Sequence, residues 1–380
     1  MTIKNKTTRN VYITYLTSII CFLAIRICAY FFPSFFRNPV CNIAFNAITQ
    51  LIVIFGISVF LFSGLQKQKL KTTFKFYGYK KISVKAVCIT IVMGLVVYVL
   101  NIFVATFFDV ILQLLGYKFG SSSGTGSYPV YMLIVNLIVT AVLPAICEET
   151  AHRGMLLKGS SALGQKKAII ISALLFGLMH MNIEQFFYAT MIGLFVGYLS
   201  IICDSIYPAM IIHFMNNAMS VFMGFSAAHN LPLAKIAVAF EGWFANNFAL
   251  ALAFSVLLAA LLVWLLIYLT RKLFMETTGK NVVNLQQELY KEFAKTDYLN
   301  DLEMSKAELR GQEVDDVQHI NLEEMYIDKN IQLGLMTDLD RQLLQNDGRY
   351  KVSKLAIALI VTCFIMTAAV TILTFVRGVL

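Results

Sequence analysis

The feature that most constrains this chain is a series of apolar stretches, each long enough to cross a lipid bilayer. A membrane-spanning helix needs about 20 mostly apolar residues, and hydrophobic residues make up 58% of the 380 residues. The predicted spans lie at 11–33, 43–64, 86–115, 130–147, 168–181, 185–203, 206–227, 243–270 and 355–376. The fifth is too short to cross as drawn, so we expect it to begin earlier, tilt or extend through "MNIEQ". The predicted fold class is all-α, a polytopic transmembrane helical bundle of about eight or nine spans.

Acidic residues are concentrated in one polar block near the C-terminus. Residues 271–352 hold 16 of the 22 acidic residues, which marks a segment outside the membrane. Within it, "NLQQELYKEF" spaces Leu285, Leu289 and Phe293 at helical intervals, so we predict an amphipathic helix. We interpret the block as a partly helical tether or small regulatory module, with substrate docking as the alternative.

Basic residues indicate which end of the bundle faces the cytoplasm. The connection after the second span carries seven lysines between Lys67 and Lys85, whereas the next connection carries one. Because cytoplasmic connections are enriched in lysine and arginine, we expect the N-terminus and residues 271–352 to be cytoplasmic. The same counting places Arg153 and Lys158 on that side.

Other function classes have little support. The chain has no Walker or glycine-rich nucleotide-binding loop and no extended repeat, so we expect no nucleic-acid partner. The seven cysteines lie mostly inside predicted spans at unpatterned spacing, which is typical of small core residues and not of disulfides or metal knuckles.

Ionisable residues inside the spans are rare, and the first group is "EETAHR". A charge at mid-bilayer costs about 2.5–3.5 kcal/mol on insertion scales, so such residues usually face a bundle interior or a water-filled cavity. Glu149 and Arg153 share one helix face at i,i+4, and Glu148 projects from an adjacent face. We expect Arg153 to hold Glu149 as a paired carboxylate. Glu148, crowded by that second acid, is then the expected general base.

Two further groups are histidine motifs on later helices. "FGLMH" puts Phe176 and His180 one turn apart, and "HFMNN" puts His213 and Asn217 on one face. If the three helices pack together, these groups and Glu148 supply a base, two imidazoles and an amide to one cavity. Those are the parts that amide hydrolysis needs, to activate a water and to stabilise the oxyanion.

Each group also has a purely structural interpretation. The acids and Arg153 could form a surface ion pair, and the histidines and Asn217 could be polar contacts between helices. We expect His152 to be solvated or capping at the cytoplasmic edge, with a third imidazole in the site as the alternative. Glu184 and Asp204 fall at predicted helix ends and are expected at the membrane interface.

In this order, the motifs resemble those of the CAAX protease and bacteriocin-processing (CPBP, or Abi) family of intramembrane endopeptidases, relatives of the type II CAAX prenyl endopeptidase. They fit its E-E-x-x-x-R, F-x-x-x-H and H-x-x-x-N patterns, over about residues 130–225. The resemblance implies an all-helical membrane core with a site in a cavity facing the cytoplasm. It carries catalytic roles onto Glu148, Glu149, Arg153, His180, His213 and Asn217.

The chain is then divided into five predicted parts. They are N-terminal transmembrane helices (1–129), a catalytic transmembrane core (130–228), a connecting loop and transmembrane helix (229–270), the cytoplasmic acidic segment (271–352) and a C-terminal transmembrane helix (353–380).

The expected reaction is hydrolysis of peptide bonds in membrane-associated proteins or peptides. We expect Glu148, with His180, to activate a water, and His213 with Asn217 to stabilise the oxyanion. The use of a metal stays open: no H-E-x-x-H pair is present and asparagine is a poor zinc ligand, yet two histidines and a glutamate could hold Zn²⁺.

The abundance of lysine, isoleucine, phenylalanine and asparagine is typical of a low-GC bacterium, so we expect a bacterial cell membrane. There the resemblance implies bacteriocin immunity or the processing of peptides and surface proteins. A non-catalytic membrane regulator or scaffold is the main alternative, and a small-solute transporter is the second, although no inverted repeat supports it. The sequence specifies neither the substrate nor the oligomeric state.

Overall fold

A computed structural model describes residues 3–34, 38–119, 129–279 and 353–379. All regular structure in these residues is helical. The helices are α1 (Ile3–Phe31), α2 (Pro39–Gln66), α3 (Leu70–Phe76), α4 (Val84–Leu114), α5 (Val130–Leu157), α6 (Gln165–Met179), α7 (Ile183–Ile202), α8 (Tyr207–Ala228), α9 (Pro232–Asn246), α10 (Phe248–Thr278) and α11 (Lys354–Val379).

Seven helices among the described residues are long and apolar enough to cross a bilayer. An eighth crossing results if α8 and the start of α9, which meet at a bend of 93°, form one broken span. The predicted all-α membrane bundle is therefore confirmed, and the chain is an integral membrane protein.

Two elements differ from their predicted form. Helix α6 begins at Gln165, earlier than the predicted start at 168, which was one of the alternatives expected for this span. It has only 15 residues and stops at Met179 without continuing through "MNIEQ", because Met181 has a positive φ of 50° that breaks the helix. Helix α9 occupies much of the region for which a connecting loop was predicted.

Residues 1–270 with 352–380 form one compact unit, and residues 271–351 form a second. The predicted amphipathic helix at 284–293 lies outside the described residues. The fold of the first unit is what positions the candidate site.

Local signals specify where several helices begin. The Asn38 side chain accepts hydrogen bonds from the first free backbone N–H groups of α2, and Pro39 occupies the first helical position. The Ser83 hydroxyl caps α4 and the Asn182 side-chain Oδ1 caps α7 in the same manner. These caps satisfy backbone donors that the helix ends leave open.

Helices α2 and α5 are not uniform α-helices. The Thr49–Leu61 part of α2 and the Leu137–Val142 and Thr150–Leu157 parts of α5 wind with π-helical geometry. Such wider turns are frequent at functional sites. Here they flank the adjacent acids on α5.

The central helices approach one another closely. Helix α6 packs against α7, and α8 packs against α4 and α5. A Cβ atom added at Gly177 would lie 2.7 Å from the Phe186 carbonyl oxygen. Only glycine therefore permits this separation of α6 and α7.

One end of the bundle is rich in lysine. Lys80 and Lys158 pair with Asp204 at 3.4 and 3.1 Å, and the Thr8 hydroxyl donates to the Gly159 carbonyl oxygen. These contacts bring together the first turns of α1, the connection before α4, the end of α5 and the turn before α8. We call this the lysine-rich end.

The opposite end of the bundle is formed by the helix ends that lie away from the lysine-rich end. The Lys118 backbone N–H donates to the Gly378 carbonyl oxygen, which joins the chain after α4 to the end of α11. The Tyr117 hydroxyl donates to Glu184 at the start of α7. Glu184 and Asp204 thus lie at helix ends, where the sequence predicts interfacial positions.

Candidate functional site

Helix α5 buries the whole "EETAHR" group inside the bundle. Glu149, His152 and Arg153 have no exposed surface, and Glu148 is 6% exposed. The helix continues to Leu157, ten residues beyond the predicted end of this span. A surface ion pair at a helix end is therefore ruled out.

Glu149 joins α5 to α8. Its Oε1 accepts a hydrogen bond from Arg153 Nη1 at 3.0 Å and another from His213 Nδ1 at 2.8 Å. The Arg153 guanidinium also lies 4.3 Å from the centre of the Phe176 ring, a cation–π contact. The carboxylate therefore fixes the position of His213 relative to the acids on α5.

Glu148 has one oxygen held and one oxygen without a partner. Its Oε1 accepts a hydrogen bond from Gln50 Nε2 of α2 at 2.7 Å. Its Oε2 is buried, has no hydrogen-bond partner among the described residues, and lies 3.9 Å from His213 Nε2. That gap is too long for a direct hydrogen bond but suits an oxygen atom bound between the two groups.

His180 ends α6 with a defined tautomer. Its Nδ1 lies 2.9 Å from the Phe176 carbonyl oxygen, and since a carbonyl only accepts, Nδ1 carries the hydrogen. Nε2 is then free to accept a hydrogen bond in the neutral ring. His180 and Glu148 line the same cavity.

The Phe176 ring lies at the centre of the histidines. Its centroid is 5.1 Å from that of His152, 5.2 Å from that of His180 and 5.6 Å from that of His213, each in edge-to-face geometry. One aromatic side chain thus contacts all three rings and restrains their orientation.

His152 departs from its predicted solvated position. The ring is fully buried, its Nδ1 donates to the Glu148 carbonyl oxygen at 2.9 Å, and its Nε2 lies 3.1 Å from the Tyr15 hydroxyl of α1. Both ring nitrogens are therefore engaged by the protein. His152 therefore stabilises the α5 backbone at Glu148 and Glu149.

Asn217 forms a hydrogen bond to α5, but among the described residues it forms none to Glu148 or Glu149. Its Nδ2 donates to the Thr140 carbonyl oxygen at 3.0 Å, and its Oδ1 accepts from Asn216 Nδ2 at 3.2 Å. One hydrogen of its amide is therefore engaged. Its oxyanion-binding role stays a prediction.

The sequence reasoning missed Gln50 and Tyr15. Both come from helices outside the motif region and contact the site only through folding. A signal existed for Gln50, since it is a lone amide within the apolar stretch "AITQLIVIFG".

A cavity of about 390 Å³ reaches Glu148 from the opposite end of the bundle. Its walls include Ala29 near the end of α1, Asn42 near the start of α2 and Gln185 near the start of α7. Toward the lysine-rich end, by contrast, every residue of Thr150–Leu157 is buried. The site is therefore reached from the end away from the lysines.

The position of the cavity bears on two predictions about which side of the membrane the site faces. The positive-inside rule places the lysine-rich end in the cytoplasm, whereas the family resemblance implies a cavity that faces the cytoplasm. The cavity lies between Glu148 and the opposite end, so the two predictions cannot both hold.

The donor set does not converge on a metal site. Among the described residues, no group of three or more histidine, cysteine, aspartate or glutamate side chains could hold a metal ion. The use of zinc, which the sequence left open, stays a prediction.

Comparison with known proteins identifies one family. Residues 130–219, about a quarter of the chain, match the family model described as Rce1-like, type II CAAX prenyl endopeptidase Rce1-like. The matched range contains all six predicted site residues, and the resemblance to CAAX-type proteases is confirmed. No curated protein and no solved structure matches the chain.

Proposed function

We propose that this chain, whose residues 130–219 belong to the type II CAAX prenyl endopeptidase-like family, is an intramembrane endopeptidase with Glu148 as general base. The observation that carries the proposal is the buried Glu148 Oε2, which has no hydrogen-bond partner among the described residues, in a side chain that lines the same cavity as His180. A buried carboxylate oxygen without a partner is costly unless a ligand completes it. A water held there is positioned for attack.

The proposed reaction uses the two oxygens of Glu148 differently. Gln50 holds Oε1, so Oε2 takes the proton from the water while His180 Nε2 accepts the second water hydrogen as a hydrogen bond. The water oxygen bonds to the peptide carbonyl carbon and forms a tetrahedral oxyanion. The C–N bond then breaks as Glu148 delivers the proton to the leaving nitrogen, which gives a carboxylic acid and an amine.

The other predicted site residues would stabilise the oxyanion and hold the reacting groups in place. His213 Nε2 faces Glu148 Oε2 across 3.9 Å, so a protonated His213 could donate to the oxyanion. Asn217 would donate through the amide hydrogen that does not bind Thr140. Glu149, which is paired with Arg153, accepts a hydrogen bond from His213 Nδ1. This bond keeps the other ring nitrogen of His213 directed at Glu148.

The cavity favours a membrane-associated peptide or protein as substrate. Its volume of about 390 Å³ is within the range of small-ligand sites, and its walls mix apolar side chains with amides. We place the substrate's route at the opposite end of the bundle, which the positive-inside rule assigns to the outer face of the membrane. Processing of bacteriocin-like peptides or surface proteins is compatible with that side.

Cleavage of a membrane-peptide library by purified protein tests the proposal. Glu148→Gln keeps the size of the side chain and removes the base, so cleavage should fall at least about a hundredfold. Glu184→Gln is the matched control, since Glu184 accepts its hydrogen bond from Tyr117 at the end of the bundle. A chelator arm separates glutamate-activated water from metal-assisted chemistry. Equal cleavage by wild type and Glu148→Gln would contradict the assignment.

A further inference from the structure

Arg26 is a cation inside a membrane-spanning helix that the reaction does not use. It stands on α1 and lines the same cavity as Glu148 and His180. Among the described residues no carboxylate lies within 4 Å of its guanidinium, which is 5.2 Å from the Phe22 ring centre. Arginine in a span usually faces an aqueous cavity and pairs with an anion. Arg26 has the cavity but not the anion.

The charges along the cavity wall are few and of opposite sign. Among the described residues that line it, Arg26, Glu148 and His180 are the ionisable ones. The ionised Glu148 would repel an anionic group brought near the reacting centre, whereas Arg26 would attract it. The pair therefore orients any peptide that carries a carboxylate.

The cavity wall also carries groups that suit a peptide backbone. Side-chain amides line it at Asn42, Asn46, Gln50 and Gln185. Asn46 Nδ2 donates to Asn42 Oδ1 at 2.7 Å, which leaves further donors and acceptors on both amides. Such groups can pair with the N–H and C=O groups of an extended chain.

We infer that Arg26 is a subsite for a carboxylate of the peptide substrate, held while the scissile bond lies at Glu148. This inference rests on the proposed peptidase function. A guanidinium binds a carboxylate through two parallel hydrogen bonds, which fixes both the orientation and the position of the group. The preferred substrate is therefore a peptide with a free C-terminal carboxylate or an acidic side chain near the bond that is cut.

Peptide binding tests the subsite without requiring cleavage. The probe is a fluorescently labelled apolar decapeptide in three forms: a free C-terminal acid, a C-terminal amide, and an amide with one internal aspartate. Each is titrated by anisotropy against the Glu148→Gln protein in nanodiscs of zwitterionic lipid. We expect the acid form, or the aspartate form, to bind at least about tenfold tighter than the plain amide. Which of the two does so identifies the source of the carboxylate.

The variants then assign the preference to one residue. Added to Glu148→Gln, Arg26→Gln should remove the preference and Arg26→Lys should restore part of it. Lys118→Gln removes a cation from the same end of the bundle, outside the cavity wall, and should leave the preference intact. Thermal unfolding of each variant checks its fold.

Several outcomes would overturn the inference. They are equal binding of all three peptides, no binding of any, and a preference that survives Arg26→Gln. A fourth is an effect of Arg26→Gln that appears only as altered dependence on anionic lipid, which would make Arg26 an anchor for lipid phosphate. Because binding is measured in an inactive variant, loss of the peptidase proposal would show separately, as absent cleavage by the wild type.

Discussion

Removal of the Arg153 charge should destabilise the bundle strongly. Both Arg153 and Glu149 have fully buried side chains, and their ion pair is 3.0 Å long. Breaking a buried pair from one side costs about 3–5 kcal/mol, since the remaining charge stays buried. The Phe176 ring 4.3 Å from the guanidinium adds about 2 kcal/mol where a cation–π contact is desolvated. Arg153→Met should therefore cost at least about 3 kcal/mol.

A double-mutant cycle isolates the pair. Glu149→Gln leaves Arg153 buried without its anion and should cost a similar amount to Arg153→Met. The double variant leaves neither charge, so its cost should be less than the sum of the single costs by about 2 kcal/mol or more. Lys158→Met is the control on the same helix, because Lys158 pairs with a largely exposed Asp204 and should cost about 0–1 kcal/mol.

Reversible unfolding in mixed micelles measures these four free energies. Additive costs of the two buried substitutions would show that Arg153 and Glu149 do not stabilise each other. A cost for Arg153→Met no larger than that of Lys158→Met would contradict the predicted destabilisation.

Three further predictions concern the site, its access and its packing. Gln50→Leu removes the donor to Glu148 Oε1 and should lower kcat about tenfold or more, with KM little changed; a change in KM alone would contradict the positioning role. In a background without the native cysteines, Asn42→Cys should react with an impermeant maleimide added outside intact cells, whereas Lys81→Cys at the lysine-rich end should react only after lysis; the reverse pattern would place the cavity in the cytoplasm. Gly177→Val should lower stability by several kcal/mol because its side chain would meet the α7 backbone, and an unchanged melting temperature would show that α6 and α7 can separate at no cost.

Much of the site follows from spacing along single helices. The i,i+4 separation of Glu149 and Arg153 predicts their ion pair, and the same separation places Phe176 one turn from His180. These contacts are local, so the periodicity of a helix is enough to find them. Contacts that depend on which helices become neighbours are not encoded in that way.

The buried state of His152 shows where hydropathy misleads. Charged and polar residues lower the apolar average, so the predicted span ended at residue 147 and His152 was placed at a solvated edge. In the structure α5 runs on to Leu157, and Tyr15 and the Glu148 carbonyl oxygen satisfy the ring. Hydrogen-bond partners from other helices offset the cost of burying a polar ring. The sequence around His152 does not show which residues these partners are.

The direction of the cavity could not be read from the motifs. They place the reacting groups on three helices but say nothing about which end is packed. The filling of the lysine-rich side by residues such as Met155 and Leu156 depends on side chains from α1 and from the connection before α4. Access to the site is therefore a property of the assembled bundle.

Mass spectrometry of products formed in ¹⁸O-labelled water tests whether Glu148 activates a water for peptide hydrolysis. We expect the wild type to place one ¹⁸O atom in the new C-terminal carboxyl group of each cleaved peptide, and Glu148→Gln to give no such product under the same conditions. Labelled product formed by Glu148→Gln at the wild-type rate would show that Glu148 is not the base.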